Sequence, residues 1–297
     1  MSEHFYKTAG IILALLAMSL FSLAPVLQKS GLDRLPPLSF SNFWKSVISL
    51  LKNRRWMIGF AVGCLGLVPY VAALRLVGVA VVQPLYGFGF IVLITVSRFM
   101  LKEKLRLTAK LALALLILMP VFIAFGEVSG VKYDITLHST QISLGVFMLT
   151  ALLTGAALFF FTGKHPLCWA MISGILFGAG AVFAQMAITF LTLDELRATS
   201  SLRALIRNED LLFSLAAVLI AVPLNVFADY CMQIGLQKKT ASRFMPVAQT
   251  VNNIVAVAGG ILIFGQRVAS WHFYIPGIVM GLAGLFLLAG IRPDVKS

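Results

Sequence analysis

Nine apolar runs, each of about twenty residues or more, dominate this chain. They lie at about Lys7–Lys29, Trp56–Val77, Val82–Leu101, Leu107–Phe125, Ile142–Thr162, Pro166–Leu191, Leu211–Leu236, Phe244–Phe264 and Phe273–Ile291. A helix of about twenty apolar residues crosses the roughly 30 Å hydrocarbon core of a bilayer. Backbone groups left unpaired in lipid cost several kcal/mol each, so only helices and closed barrels can span it. The runs are continuous and lack the inside/outside alternation of a barrel strand. The sequence therefore predicts an all-α integral membrane protein. Composition agrees, since only 12% of residues are charged against roughly 25% in soluble domains.

One shorter segment is ambiguous. Leu38–Leu51 follows Pro36-Pro37 and carries Asn42 and Lys45. At 1.5 Å per residue it reaches about 21 Å, short of a full crossing. It is either a short tilted span or a helix lying in the interface. Basic residues bear on the choice, because Lys and Arg collect on the cytoplasmic side of membrane proteins. They cluster at Lys52, Arg54 and Arg55, at Arg98, Lys102, Lys104, Arg106 and Lys110, at Lys164, at Lys238, Lys239 and Arg243, and at Arg292 and Lys296. Ten spans put every cluster on one side with both termini. Nine spans satisfy the same rule with the N-terminus opposite. The preferred expectation is ten transmembrane helices in two inverted five-helix repeats, with nine spans plus one interfacial helix as the alternative. Either way the chain is a multi-pass protein of the cell (inner) membrane with a cytoplasmic C-terminus. Lys7 before the first run resembles a signal peptide, but no A-x-A-like site closes it before Pro25, so an uncleaved helix is expected.

Two stretches share one plan. Gln83–Arg106 and Met245–Val268 are apolar helices with a proline at the mouth, Pro84 or Pro246, and a polar turn containing Glu103 or Gln266. Tyr70–Pro84 likewise corresponds to Tyr230–Pro246, with two residues inserted. The expected organisation is a first repeat over 1–126, a connecting loop over 127–140 and a second repeat over 141–297. Inverted repeats with a site near the midplane recur in transporters. The organisation by itself points to transport.

Several motifs carry a family resemblance. Phe99–Ile117, FMLKEKLRLTAKLALALLI, resembles the end of the first repeat in the drug/metabolite transporter superfamily. Its FxLKEKLxxxxKL form is closer to the NIPA-type magnesium transporters than to the EamA group. Lys29-Ser30-Gly31-Leu32 resembles the KKGL ending of their first helix. His165-Pro166-Leu167 with Trp169, and Gln185 beyond, is similar to their HPLAW and downstream glutamine. The resemblance covers most of residues 8–290 in patches. It implies nine or ten helices around a central polar cavity and leaves the substrate open, because the superfamily moves many.

Polar residues inside the apolar runs mark candidate sites, since a charge at mid-bilayer costs at least about 2.5–3.5 kcal/mol. Asn225, Asp229 and Gln233 are spaced four apart and share a helix face. Gln249, Asn252 and Asn253 form a second polar group on the next helix. Together they read as a substrate or coupling-ion site, or as an interhelical hydrogen-bond clamp. Gln83, Tyr86 and Phe90 share a face near the first motif, and Gln185 shares one with Thr189. Ser19, Ser22 and Pro25 or Val26 fall near one face of the first helix. Arg75 offers an anion contact or snorkels to the interface. Glu103 and Lys104 read as turn residues. Asp229 is the one convincing acid for a transported cation.

Other classes find little support. His4, His138, His165 and His272 are scattered without metal-ligand spacing, and no phosphate loop is present. No enzyme activity and no cofactor is expected. Cys64, Cys168 and Cys231 stand alone in apolar runs and read as small core residues. The net charge of +13 follows from loop topology rather than from nucleic-acid binding. Glycine pairs at Gly59/Gly63, Gly174/Gly178 and Gly277/Gly281 pack helices within the chain or a homodimer. The expected function is a secondary transporter or facilitator of a small metabolite or amphiphile, working in the lipid bilayer by alternating access. The alternatives are a divalent-cation transporter of the NIPA type and movement of a lipid-linked or anionic headgroup.

Overall fold

A computed structural model describes residues 2–77, 85–101, 107–126, 128–129, 138–163, 165–190, 209–265 and 267–290. Ten α-helices are found among them: α1 Ser2–Leu32, α2 Phe43–Lys52, α3 Arg54–Val77, α4 Tyr86–Met100, α5 Leu107–Phe125, α6 His138–Phe161, α7 Cys168–Phe190, α8 Glu209–Lys238, α9 Ala241–Phe264 and α10 Trp271–Gly290. Two residue pairs, β1 Val128–Ser129 and β2 Arg267–Val268, join in an antiparallel bridge. Six stretches, within α1, α3, α6, α7, α8 and α9, are long and apolar enough to cross a membrane. Shorter apolar stretches lie in α4, α5 and α10. Glu103, Lys104, Gln266 and Gln83 lie outside the described residues.

The chain divides into two compact units. The first comprises Met1–Ser129, Gln233–Thr250 and Arg267–Ser297, and the second Gly130–Met232 and Val251–Gln266. In the first unit α1 and α3 pack along their length on a glycine seam. Gly31 meets Trp56, Gly59 meets Gln28 and Ala24, and Gly66 meets Leu20 and Phe21. A methyl group at Gly59 would stand 2.6 Å from the Gln28 backbone nitrogen, so only glycine permits this approach. The rings of Phe21 and Tyr70 close the seam edge to face at 5.7 Å.

Residue numbers fall along α1 as they rise along α3, so the two helices are antiparallel. Ten spans would set these two helices parallel, and nine spans would set them antiparallel. The cause of the antiparallel packing lies in residues 33–53. The ten-residue α2 reaches only about 15 Å, and the chain enters α3 where it left α1. Asn53 secures the return. Its Nδ2 donates to the Gly31 carbonyl at 3.1 Å, and its Oδ1 caps α3 by accepting from the Arg55 and Trp56 amides, each at 3.1 Å.

A second antiparallel pair, α5 and α10, uses the same device. Gly277 faces Phe122 and Ile123, Gly281 faces Met119, and Gly284 faces Leu116 and the Ala112 carbonyl. At one end Gly126 packs on Tyr274, and its carbonyl accepts from the Ser270 amide at 3.0 Å. Helix α4 packs on both α1 and α5.

The second unit is built on Phe147, Val182, Phe183, Met186, Ala217, Ala221, Ile263 and Phe264. Gly178 receives Val255 and the Asn252 carbonyl, while Gly180 receives the Asn225 side chain. Positive φ, 60° at Gly265, ends α9 in a left-handed turn open to glycine.

The seams at Gly59/Gly63 and Gly277/Gly281 are thus filled by helices of the same chain. Packing within the chain is one of the two uses expected of them. Cys64 is exposed rather than a core residue, whereas Cys168 and Cys231 are buried. Large apolar side chains such as Leu65, Val68, Leu152, Phe160 and Phe286 are exposed, as a lipid-facing surface requires.

Candidate functional site

A cavity of about 50 Å3 lies in the first unit among α1, α4 and α9. Met18, Phe21, Ser22 and Pro25 line it from α1, Gly89, Phe90 and Leu93 from α4, and Met245 and Gln249 from α9. Helical spacing accounts for each set: 18, 21, 22 and 25 share one stripe, as do 89, 90 and 93, and 245 and 249. Two of the helices are interrupted by proline. Pro25 leaves the Phe21 carbonyl, and Pro246 the Ser242 carbonyl, without its helical N–H donor. Gly89 lets α4 close on α1, because a Cβ there would lie 2.9 Å from the Ser22 hydroxyl. The lining is apolar and aromatic, with polarity confined to Ser22 and Gln249.

At the end where α1 leaves and α3 begins, a buried polar cluster joins α1, α3 and the last turns of α8. Trp56 donates through Nε1 to Gln233 Oε1 at 3.0 Å, and Gln233 donates through Nε2 to Gln28 Oε1 at 3.1 Å. Gln233 is fully buried. Lys29 donates to the Leu236 carbonyl at 2.6 Å and to Asp33 at 3.1 Å. Gln237 accepts from the Leu38 amide at 2.8 Å and donates to the carbonyls of Leu32, Leu35 and Pro36. The carbonyls at the end of α1 and in the loop thus find partners on α8.

Of the residues expected from the sequence, Gln249 and Phe90 line the cavity, and so do Ser22 and Pro25. Ser19 instead donates to its own helix at the Leu15 carbonyl, 2.7 Å away. Gln233 is a clamp residue. In the second unit, Asn225 donates to the Ala221 carbonyl at 2.8 Å and packs on Gly180. Asp229 and Asn253 are half-buried. The Asn252 Oδ1 is buried without a hydrogen-bond partner among the described residues. Gln185 is exposed on α7. Arg75 and Tyr86 belong to α3 and α4, but their side chains lie outside the described residues, as does the whole of Gln83. Sequence reasoning missed Gln28, Trp56 and Gln237. Polar side chains at helix ends, Gln28 and Gln237, were the available signal, and their partners lie about 200 residues away.

Over 196 residues, 61% of this chain, the sequence is 28% identical to an Arabidopsis thaliana protein named "Probable magnesium transporter NIPA9". The match covers 56% of that protein, so the chain spans little more than half of the curated relative's length. No family model matches. No solved structure matches either.

Proposed function

We propose that the chain is a secondary transporter or facilitator moving a small metabolite or amphiphile by alternating access, with the cavity among α1, α4 and α9 on its path. The observation carrying this reading is the lining. Phe21, Phe90, Met18, Leu93 and Met245 suit an apolar body, and Ser22 and Gln249 suit one hydrogen-bonding head. At about 50 Å3 the space is far below the roughly 300 Å3 of a typical ligand pocket, so loading requires the three helices to part. Pro25, Pro246 and Gly89 are the places where they give most easily. Within the second unit, Asp229 is the candidate for a coupling proton, with Asn225, Asn252, Asn253 and Gln185 as further candidate polar groups.

Nine spans with α2 in the interface fit the antiparallel α1–α3 pair. Basic residues then gather on one side and the N-terminus lies on the other. The two halves, 1–126 and 141–297, stay inverted on this count. Helices α1, α3, α4 and α5 correspond to α7, α8, α9 and α10, and the antiparallel α5–α10 pair supports it.

A Mg²⁺ pathway is the second reading, favoured by the name of the Arabidopsis relative. Magnesium is ordinarily held by one or two carboxylates with retained waters. The cavity offers none, and no group of three His, Cys, Asp or Glu occurs among the described residues. Headgroup transport draws on the basic surplus and on Arg75, and this lining adds no support.

The test is a thermal-shift screen of amino acids, amines, sugars and amphiphilic acids, followed by counterflow in proteoliposomes. Hits should stabilise wild type but not Gln249→Leu, and should exchange across the membrane. Dye-reported Mg²⁺ influx at millimolar concentration, with no organic hit, would overturn the first reading in favour of the second.

A further inference from the structure

Helix α2 plays no part in the cavity. Around its axis Phe43, Val47, Leu51, Trp44 and Ile48 form one apolar arc, and Lys52, Lys45 and Ser49 a polar arc beside it. Ser46 and Leu50 are buried, and α2 packs on α3. The outer part of the apolar arc is exposed: Trp44 is 75% exposed, Ile48 50% and Leu51 55%. Lys45, Lys52, Arg54, Arg55 and Arg34 are exposed around it. From Arg34 to Lys102 the sequence contains no Asp or Glu, and the neighbouring Asp33 is paired with Lys29, so positive charge predominates here. The helix is also fixed in place. Asn53 anchors its exit to α1, and Gln237 holds the loop that leads into it. Both α1 and α3 contain stretches long enough to span a membrane, and α2 sits where they terminate.

We infer that α2 lies in the plane of the membrane surface, with Trp44, Ile48 and Leu51 at the acyl boundary and Lys45, Lys52, Arg54 and Arg55 on the headgroups of anionic phospholipid. An amphipathic helix of this kind buries its apolar face about 5–10 Å into the boundary, and tryptophan favours that depth. Each base near an anionic surface strengthens the contact about fivefold. Two other occupants fit less well. A second copy would set like charges against each other, and an acidic soluble partner would leave the apolar stripe without lipid. Only the headgroup-acyl boundary meets both arcs. Since Gln237 ties the loop before α2 to α8, lipid held here also steadies the end of the polar cluster.

The test uses the full chain in phosphatidylcholine nanodiscs, with brominated phosphatidylglycerol or equally brominated phosphatidylcholine at the same mole fraction. Subtracting the signal of Trp44→Phe isolates Trp44 fluorescence. Brominated phosphatidylglycerol should quench Trp44 several-fold more strongly. The difference should shrink at 0.5 M salt, about 4 Å in Debye length, and in K45Q/K52Q. Lys110→Gln, which removes one exposed base on α5, should leave it unchanged. Equal quenching by both lipids would overturn headgroup selection, and quenching by neither would overturn membrane contact. The wild-type salt series decides the matter even if the double variant folds poorly.

Discussion

Lys29 Nζ lies 2.6 Å from the carbonyl oxygen of Leu236, a residue 207 positions further along the chain. Both residues are buried, and the ammonium supplies the donor that the last turn of α8 lacks. Lys29→Met keeps the apolar stem and removes the donor. It should cost about 1–3 kcal/mol, the range for a buried carbonyl left unpaired, read as an earlier thermal transition in detergent. Asp33→Asn should change little, because that carboxylate is half exposed and such pairs contribute about 0–1 kcal/mol.

Gln233 is bonded to both Trp56 and Gln28, so single substitutions leave buried groups unpaired. Gln233→Leu and Trp56→Phe should each destabilise by about 1–3 kcal/mol. The double variant should lose less than the sum. A double-mutant cycle from denaturation of the purified protein measures the coupling, expected at about 0.5–2 kcal/mol. Strict additivity would mean that the contact contributes nothing to stability.

Gly89→Ala places a methyl group against the Ser22 hydroxyl at the cavity wall. Transport should fall several-fold while the folded protein persists, because overpacking typically costs only about 1–3 kcal/mol. Ser22→Ala in the same chain removes the obstructing oxygen and should recover part of the rate in proteoliposome counterflow.

Asp229→Asn tests proton coupling. On the proposed mechanism, transport driven by a pH gradient is abolished while gradient-free exchange of the same substrate continues. Unchanged pH-driven accumulation would remove Asp229 from the mechanism.

Most helix positions are legible in the sequence because the bilayer fixes their length. Leu107–Phe125 is expected and found at the same residues, and Phe244–Phe264 begins three residues earlier, at Ala241. Segment 38–51 is not decided by hydrophobicity, since a tilted span and an in-plane helix share a composition. The link from Asn53 to Gly31 bears on the choice, and that contact leaves no periodic mark. The site is half legible for a related reason. Spacing on α8 groups Asn225, Asp229 and Gln233 on one face, yet Asn225 bonds its own helix and Gln233 bonds residues 177 and 205 positions away. Periodicity reports a face, not what the face meets. The cavity's Gly89 and Met245 are silent for another reason, because each is an ordinary residue of a membrane helix.

Helix α6 is the least buried of the six long apolar helices, with 6% of an eighteen-residue stretch within Thr140–Phe161 buried. No side chain would be obstructed at Gly145 or Gly155. On the nine-span reading that indifference has a use. Residues 1–126 cross four times, an even number, so a second copy following directly would insert the same way up. One extra crossing turns it over. Parity is then what most of α6 supplies: Phe147, with Leu144 and Met148 beside it, packs into the second unit's core, and the rest of the helix need satisfy little beyond length and hydrophobicity.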